Sequence, residues 1–281
     1  MKTWKKIVLG VSLISLFLGG GLVAWGYSQG GLTDLQNKTI SEQDYVKKEV
    51  DDFNKIDIKS SSYNVLIKNG DVDKATLSYY QKTKNPIDTS VKDGQLTIND
   101  NNSELDSTSN KHINFFGLKD LVRLSTLNEE VRNKTIVITL PKKQTIDFLK
   151  VDLATGNLDL SNSTIKQSDI NLNVGDLTFT KMIVSNLKAN LDVGSVDSNH
   201  TLFTNSDLSI AMGDYSGDNL IFNGHNKLDV TSGDIELALK DYTLNVQADS
   251  HSGEVDITNS LKISKDNSLT ITSDLGDITV E

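Results

Sequence analysis

A row of acidic and amide residues recurs in the second half of the chain, each directly after a glycine. The row reads Asn157, Asp176, Ser195, Asp214, Asp234, Glu254 and Asp277. Clustered carboxylates are ligands for hard cations, so Asp176, Asp214, Asp234, Glu254 and Asp277 form a candidate calcium row. Asp and Asn also satisfy backbone donors in turns, and the nine-residue period of calcium-binding repeats is lacking. The turn interpretation is favoured, and no metal site is predicted.

The other residues that could do chemistry form no constellation. The histidines His112, His200, His225 and His251 are far apart in polar sequence, unlike paired zinc ligands. The chain has no cysteine, which excludes disulfides and thiolate chemistry, and it has no phosphate loop or nucleophile elbow. Solenoid enzymes that cleave polysaccharides use paired carboxylates, but a catalytic site is not repeated in every unit. We predict no catalytic residue, no cofactor and no enzymatic activity.

The glycines that precede the acidic row recur at a nearly fixed interval. Successive separations are 19, 19, 19, 20, 20 and 23 residues along the series Gly156, Gly175, Gly194, Gly213, Gly233, Gly253 and Gly276. A constant period near 20 residues is typical of stacked repeats. These glycines are therefore predicted to be structural turn residues.

Apolar residues occupy four columns around each glycine, at the third and fifth positions before it and the second and fourth after it. In one repeat they are Leu228, Val230, Ile235 and Leu237. This period-two spacing predicts two short strands per repeat that face one interior. A coil of about 20 residues cannot bury its own apolar face, so the pattern predicts an all-β fold: a β-solenoid, or β-helix-like stack of coils. A β-sandwich is the structural alternative.

The sequence before the repeats also indicates β structure. Residues 51–145 form an N-terminal β portion, with a turn at Asn69-Gly70 and a hairpin at Asp93-Gly94. An insertion at about 100–130 contains the apolar cluster Phe115 to Leu118, which could cover the β core or be exposed as a contact patch. The repeat solenoid is predicted to span 146–281.

The N-terminus contains a candidate membrane anchor. Residues 7–27 carry no charge and follow Lys2, Lys5 and Lys6, which predicts one transmembrane helix, a cytoplasmic tail at 1–6 and an extracytoplasmic remainder. A cleaved secretory signal is the alternative. Polar residues 28–50 are predicted to be a juxtamembrane linker with a short helix from Ser41. The net charge of −10 becomes −13 without the three lysines, which disfavours nucleic acid as a partner.

The layout resembles a known family. An N-terminal anchor, the segments FNKIDIKSSSYNVLIKNG, VKDGQLTI and IVITLPKK, and the glycine repeats are similar to the bacterial "putative adhesin" domain family of unknown function. That family includes LiaG-type membrane-anchored envelope proteins. The resemblance covers about residues 51–281 and implies a cell-membrane protein that acts through an envelope or protein partner, in surface interaction or envelope stress. A surface adhesin for carbohydrate or a host ligand is the alternative, and a polysaccharide-cleaving solenoid enzyme is the weakest one.

Overall fold

Short strands and tight corners make up the described part of the chain. The computed structural model describes residues 43–82, 86–100 and 134–281, and those from Asp44 onward belong to one compact unit. No helix in this described part is long and apolar enough to cross a bilayer. The predicted tail at 1–6, transmembrane helix at 7–27, cluster at 115–118 and most of the insertion lie outside the described residues.

The strands are numbered in chain order. They are β1 Gln43–Glu49, β2 Lys55–Ser60, β3 Asn64–Gly70, β4 Thr76–Lys82, β5 Asp88–Lys92, β6 Gln95–Asn99, β7 Thr135–Pro141, β8 Thr145–Ile146, β9 Phe148–Leu153, β10 Leu158–Ser161, β11 Thr164–Ile165, β12 Ser168–Val174, β13 Leu177–Thr180, β14 Ile183–Ser185, β15 Leu187–Val193, β16 Val196–Asn199, β17 Leu202–Thr204, β18 Asp207–Met212, β19 Tyr215–Asn223, β20 His225–Ser232, β21 Ile235–Leu239, β22 Asn245–Ser252, β23 Val255–Ile257, β24 Ser268–Leu275 and β25 Ile278–Val280.

The strands form three faces of a solenoid-like stack. Face 1 is a ten-stranded sheet in the order β22-β24-β20-β18-β15-β12-β9-β2-β6-β5. Face 2 runs β1-β4-β7-β3-β10-β13-β16-β19-β21-β25-β23, and the short strands β8, β11, β14 and β17 pair beside the end of β19 as face 3. Equivalent residues 19 or 20 apart pair in parallel register, as Leu177 with Val196 and Val196 with Tyr215. The all-β prediction is confirmed for the described residues.

The central coils contain three strands instead of the two predicted. After the glycine and the face 2 strand, the chain turns at a residue with left-handed backbone, forms a strand of two or three residues, and turns again into face 1. The first of these turns uses Lys143, Asn162, Lys181, His200 and Asn219, which recur every 19 residues with φ between 52 and 69°. The third strand was missed because two or three residues are too short to show alternation.

Both ends of the stack depart from the chain order. At the C-terminal end, β24 pairs with both β20 and β22, and β25 pairs with both β21 and β23. At the N-terminal end, β2 lies between β6 and β9, and β3 lies between β7 and β10. The last two coils therefore stack out of chain order: the Gly276 coil lies inside and the Gly253 coil lies outside.

The core follows the predicted columns. The column two residues after each glycine is buried at Leu158, Leu177, Val196, Tyr215, Ile235 and Ile278. The next column holds only Ser198 and Gly217, and Leu220 together with the ring of Tyr215 occupies the space beside Gly217. The Tyr215 hydroxyl donates to Ser198 Oγ at 3.0 Å. In the outermost coil the residue two positions after the glycine, Val255, is exposed, because β25 is the only described strand that pairs with β23.

Local predictions before the repeats fare unevenly. The hairpin at Asp93-Gly94 is confirmed, since β5 and β6 pair antiparallel around it. The turn predicted at Asn69-Gly70 is wrong, because β3 continues through both residues and pairs with β7. The short helix predicted from Ser41 is also wrong for the described residues 43–49, where β1 lies beside β4 and Val46 packs against the core.

Charges alternate along the outer surface of face 1. Register places opposite charges on successive strands, in the order Asp57, Lys150, Asp169, Lys188, Asp207 and Lys227. Opposite charges on paired strands stabilise a sheet and like charges destabilise it. A slip by one coil would oppose lysine to lysine and aspartate to aspartate, so this row favours the observed register.

We expect Gly194→Ala to destabilise the stack strongly. The φ of Gly194 is 150°, and a Cβ there would lie 1.9 Å from the carbonyl oxygen of Gly175. Backbone strain and displaced packing of this kind cost about 2–4 kcal/mol, measurable as a lower urea midpoint. Asp192→Ala, two residues away on an exposed side chain, should leave the midpoint nearly unchanged. Equal midpoints for wild type and Gly194→Ala would contradict the close stacking at this position.

Candidate functional site

The edge between face 1 and face 2 brings the repeat glycines into one line. We call it the glycine corner: the residues from two before to three after each glycine of the repeat series. Six of the glycines have φ between 143 and 151°, and in the outermost coil Gly253 packs against the Gly276 carbonyl. In the β2–β3 coil, the carbonyl of Tyr63 lies against Gly156. The corner is therefore continuous across eight coils.

The acidic row runs along this corner, with each member bonded to the next coil. The backbone N–H after each glycine donates to the side-chain oxygen of the equivalent residue one coil away. The N–H donors and acceptors are Asn157 to Asn64 at 2.9 Å, Asp176 to Asn157 at 3.0 Å, Ser195 to Asp176 at 3.0 Å, Asp214 to Ser195 at 3.5 Å, Asp234 to Asp214 at 2.9 Å, Asp277 to Asp234 at 2.9 Å and Glu254 to Asp277 at 2.8 Å. The row thus satisfies backbone donors that the corner would otherwise leave to water.

This geometry bears directly on the candidate calcium row. The structure brings Asp176, Asp214, Asp234, Asp277 and Glu254 together, with Ser195 interrupting the carboxylates. One oxygen of each aspartate accepts a backbone N–H, which is the role of a turn residue. No group of three or more acidic or histidine side chains in the described ranges is arranged to hold a metal ion. What the row offers chemically is a line of negative charge.

An apolar ridge lies beside the acidic row. It is formed by the residues just before four of the seven glycines. Register aligns Val174 with Val193, Val193 with Met212, and Leu275 with Ser232 next to Met212. The exposed fractions are 47% for Val174, 43% for Val193, 59% for Met212 and 56% for Leu275. We call these four side chains the ridge. The sequence analysis missed them, although an apolar residue adjoining glycine, outside the period-two alternation, is a readable signal.

A shallow hollow of about 170 Å³ lies at the other edge of face 2. It is lined by Lys181, His200, Asn219 and Lys240 on one side and by Ile183, Leu202 and Ile221 on the other. Nδ1 of His200 lies 2.6 Å from Asn199 Oδ1, and Nε2 lies 3.1 Å from Asn219 Nδ2. His200 is thus held between the side chains of Asn199 and Asn219.

The other predicted histidines do not join this hollow. His225 lies 2.9 Å from Ser268 Oγ through Nδ1, and His251 is exposed in the outermost coil. His112 lies outside the described residues. None of the three described histidines belongs to a group of three or more acidic or histidine side chains that could hold a metal ion.

Among the described residues, three side chains have a clearly shifted pKa, and each of them has a hydrogen-bond partner within the fold. Burial, with the nearby Asp100 carboxylate, raises the pKa of Tyr63 to about 12, and its hydroxyl donates to the Tyr80 carbonyl. Burial likewise raises the pKa of Tyr215. The hydrogen bond from Lys166 lowers the pKa of Asp147. None of these groups belongs to the ridge or to the acidic row.

Comparison with known proteins assigns the family. The Toastrack DUF4097 family profile matches residues 53–281, so the chain belongs to this family. The similarity to the bacterial adhesin-domain family inferred from the sequence is thereby confirmed. No curated protein matches the chain.

Solved structures that are similar to this chain come from several bacteria. A "putative cell adhesion protein" from Clostridium sporogenes is 15% identical, with 85% of this chain and 99% of that one covered and a TM-score of 0.38. A "putative adhesin" from Bacteroides fragilis is 16% identical, with 85% and 97% covered and a TM-score of 0.40. A "putative lipid binding protein" from Parabacteroides distasonis is 10% identical, with 85% and 97% covered and a TM-score of 0.34.

We expect Asp214→Ala to weaken the corner while Asp214→Asn does not. Asp214 Oδ1 accepts the backbone N–H of Asp234, and an amide oxygen can replace it as in Asn157. Loss of one exposed hydrogen bond costs about 0.5–1 kcal/mol, seen as a lower melting temperature for Asp214→Ala alone. Equal losses in both variants would show that charge, not the backbone acceptor, is what matters.

The same variants test the calcium alternative. If the row serves as turn residues, millimolar Ca²⁺ should shift the melting temperatures of wild type and Asp214→Asn equally or not at all, because no carboxylate site is lost. A stabilisation by Ca²⁺ in wild type that disappears in Asp214→Asn would instead establish a calcium site at the corner.

Proposed function

We propose that this chain is a non-enzymatic, single-pass membrane protein of the cell envelope that acts through contact with a protein partner outside the cytoplasm. Residues 7–27 anchor it, and the stack is the part that makes contact. In this proposal the protein acts as an accessory protein of the cell envelope or of the envelope-stress response.

One observation carries this proposal: the ridge and the acidic row extend together along the glycine corner. The four apolar side chains of the ridge are 43–59% exposed and lie along one line. They are exposed although the column two residues before each of them faces the interior. Contiguous exposed apolar surface rimmed by polar residues is typical of interaction sites. Stacked repeats suit extended binding surfaces because each coil adds an equivalent set of side chains.

Site-specific photocrosslinking in intact cells that normally make the protein tests the contact. A photoreactive residue at Met212 should give discrete protein adducts, whereas one at Lys188, exposed on face 1, should not. Adducts of equal yield at both positions, or none at either, would overturn the proposal. Recovery of glycan alone at Met212 would replace it with the carbohydrate-adhesin alternative.

Intact mass of the protein extracted from membranes tests the anchor. Retention of residues 1–27 is expected, since the uncharged segment matches the roughly 20 residues that span a bilayer. A mass lacking residues 1–26 would identify the segment as a cleaved signal and refute anchoring by 7–27.

A further inference from the structure

The ridge is a linear feature with a measurable repeat. From Val174 to Leu275 it crosses five coils, passing Ser232, which is about 19 Å at the usual strand spacing. Val174, Val193 and Met212 therefore follow one another at about 4.8 Å. Met212 and Leu275 are about 9.6 Å apart because Ser232 lies between them. A partner that covers the ridge must present apolar side chains with a similar repeat.

Carboxylates border the ridge on both sides. The acidic row lies on the face 2 side, while Asp192 and Asp274 lie one residue before the ridge on the face 1 side. None of the seven corner segments, 154–159, 173–178, 192–197, 211–216, 231–236, 251–256 and 274–279, contains lysine or arginine. The outer surface of face 1 is different, because its alternating aspartate and lysine side chains balance one another's charge.

These two features define the chemistry of the partner. We infer that the glycine corner binds a basic amphipathic helix of another protein, with an apolar stripe on the ridge and lysine or arginine over the flanking carboxylates. This inference rests on the proposed function and specifies its partner. Electrostatic complementarity of this kind selects among partners, and it disfavours anionic lipid surfaces and nucleic acid.

Periodicity favours a helix over an extended segment. Along one face of a helix, side chains recur about every 5.4 Å, the helix pitch. This spacing is close to the distance of about 4.8 Å between neighbouring coils of the ridge. An extended strand returns same-side residues every 6.6–6.8 Å or so, which falls out of step after two coils. About 13 helical residues, at 1.5 Å each, span the ridge.

A defined probe tests the inference on the full chain in phosphatidylcholine nanodiscs, with empty nanodiscs as blank. The probe is an 18-residue peptide with leucine along one helical face and lysine beside it; a scrambled peptide of the same composition is its control. Wild type should bind the striped peptide at least tenfold more tightly than the scrambled one. Equal binding of the two peptides would overturn the inference.

Protein variants locate the binding. Combined Val174→Ser, Val193→Ser, Met212→Ser and Leu275→Ser should weaken binding at least tenfold. Matched changes at exposed apolar residues elsewhere, Ile183→Ser, Tyr242→Ser and Ile263→Ser, should not. Asp234→Asn with Asp277→Asn keeps the backbone acceptors but should lower affinity and its salt dependence. Unchanged affinity in the ridge variant would refute the site.

Three further outcomes separate this inference from its alternatives and from the proposed function. Binding that emerges only after deletion of residues 101–133 would assign the ridge to that segment of the chain and overturn an external partner. A Met212 crosslink to a protein segment without a basic apolar stripe would overturn this inference while the proposed function stands. Absence of any corner-specific protein adduct would overturn the proposed function itself.

Discussion

The close approach of one glycine to the next is the constraint on which the stack depends. At Gly194, Gly213 and Gly276 the carbonyl oxygen of the neighbouring glycine occupies the place of a Cβ, within 1.9–2.0 Å. This approach sets the position of each coil on the next and brings the following backbone N–H within reach of the acidic row. Because the corner is fixed, the residue just before each glycine is turned outward, which generates the ridge.

The sequence predicts the interior better than the connections. Alternating Leu228, Val230, Ile235 and Leu237 around Gly233 identify the columns because burial imposes a period of two. The third face is invisible to that test, since β8 and β11 contain two residues each. The turn before the third face recurs every 19 positions and has positive φ, as at Asn162 and Asn219. Asparagine tolerates the left-handed backbone better than most residues, so these asparagines are the signal that the sequence offers for the turn.

Neither the order of the coils nor the role of the corner could be read from the sequence. The spacing around the glycine is the same in both coils, so spacing alone does not show whether β22 or β24 pairs with β20; in the structure β24 does, and β22 pairs with its far side. The acidic row could be found by spacing, but its hydrogen-bond partners could not, because they come from a coil that is 19 to 93 residues away. The residue types of the acidic row can be identified in the sequence, whereas their contacts between coils had to be observed in the structure.

Interleaving restrains the strands at the C-terminal end of the stack. Strand β24 is held between β20 and β22, and β25 is held between β21 and β23, so fraying of β24 or β25 must break ladders on two sides at once. Terminal segments are ordinarily the first to open. Here the outermost Gly253 coil precedes in the chain the Gly276 coil on which it packs, so β22 and β23 can pair with β24 and β25 only after those later strands are in place.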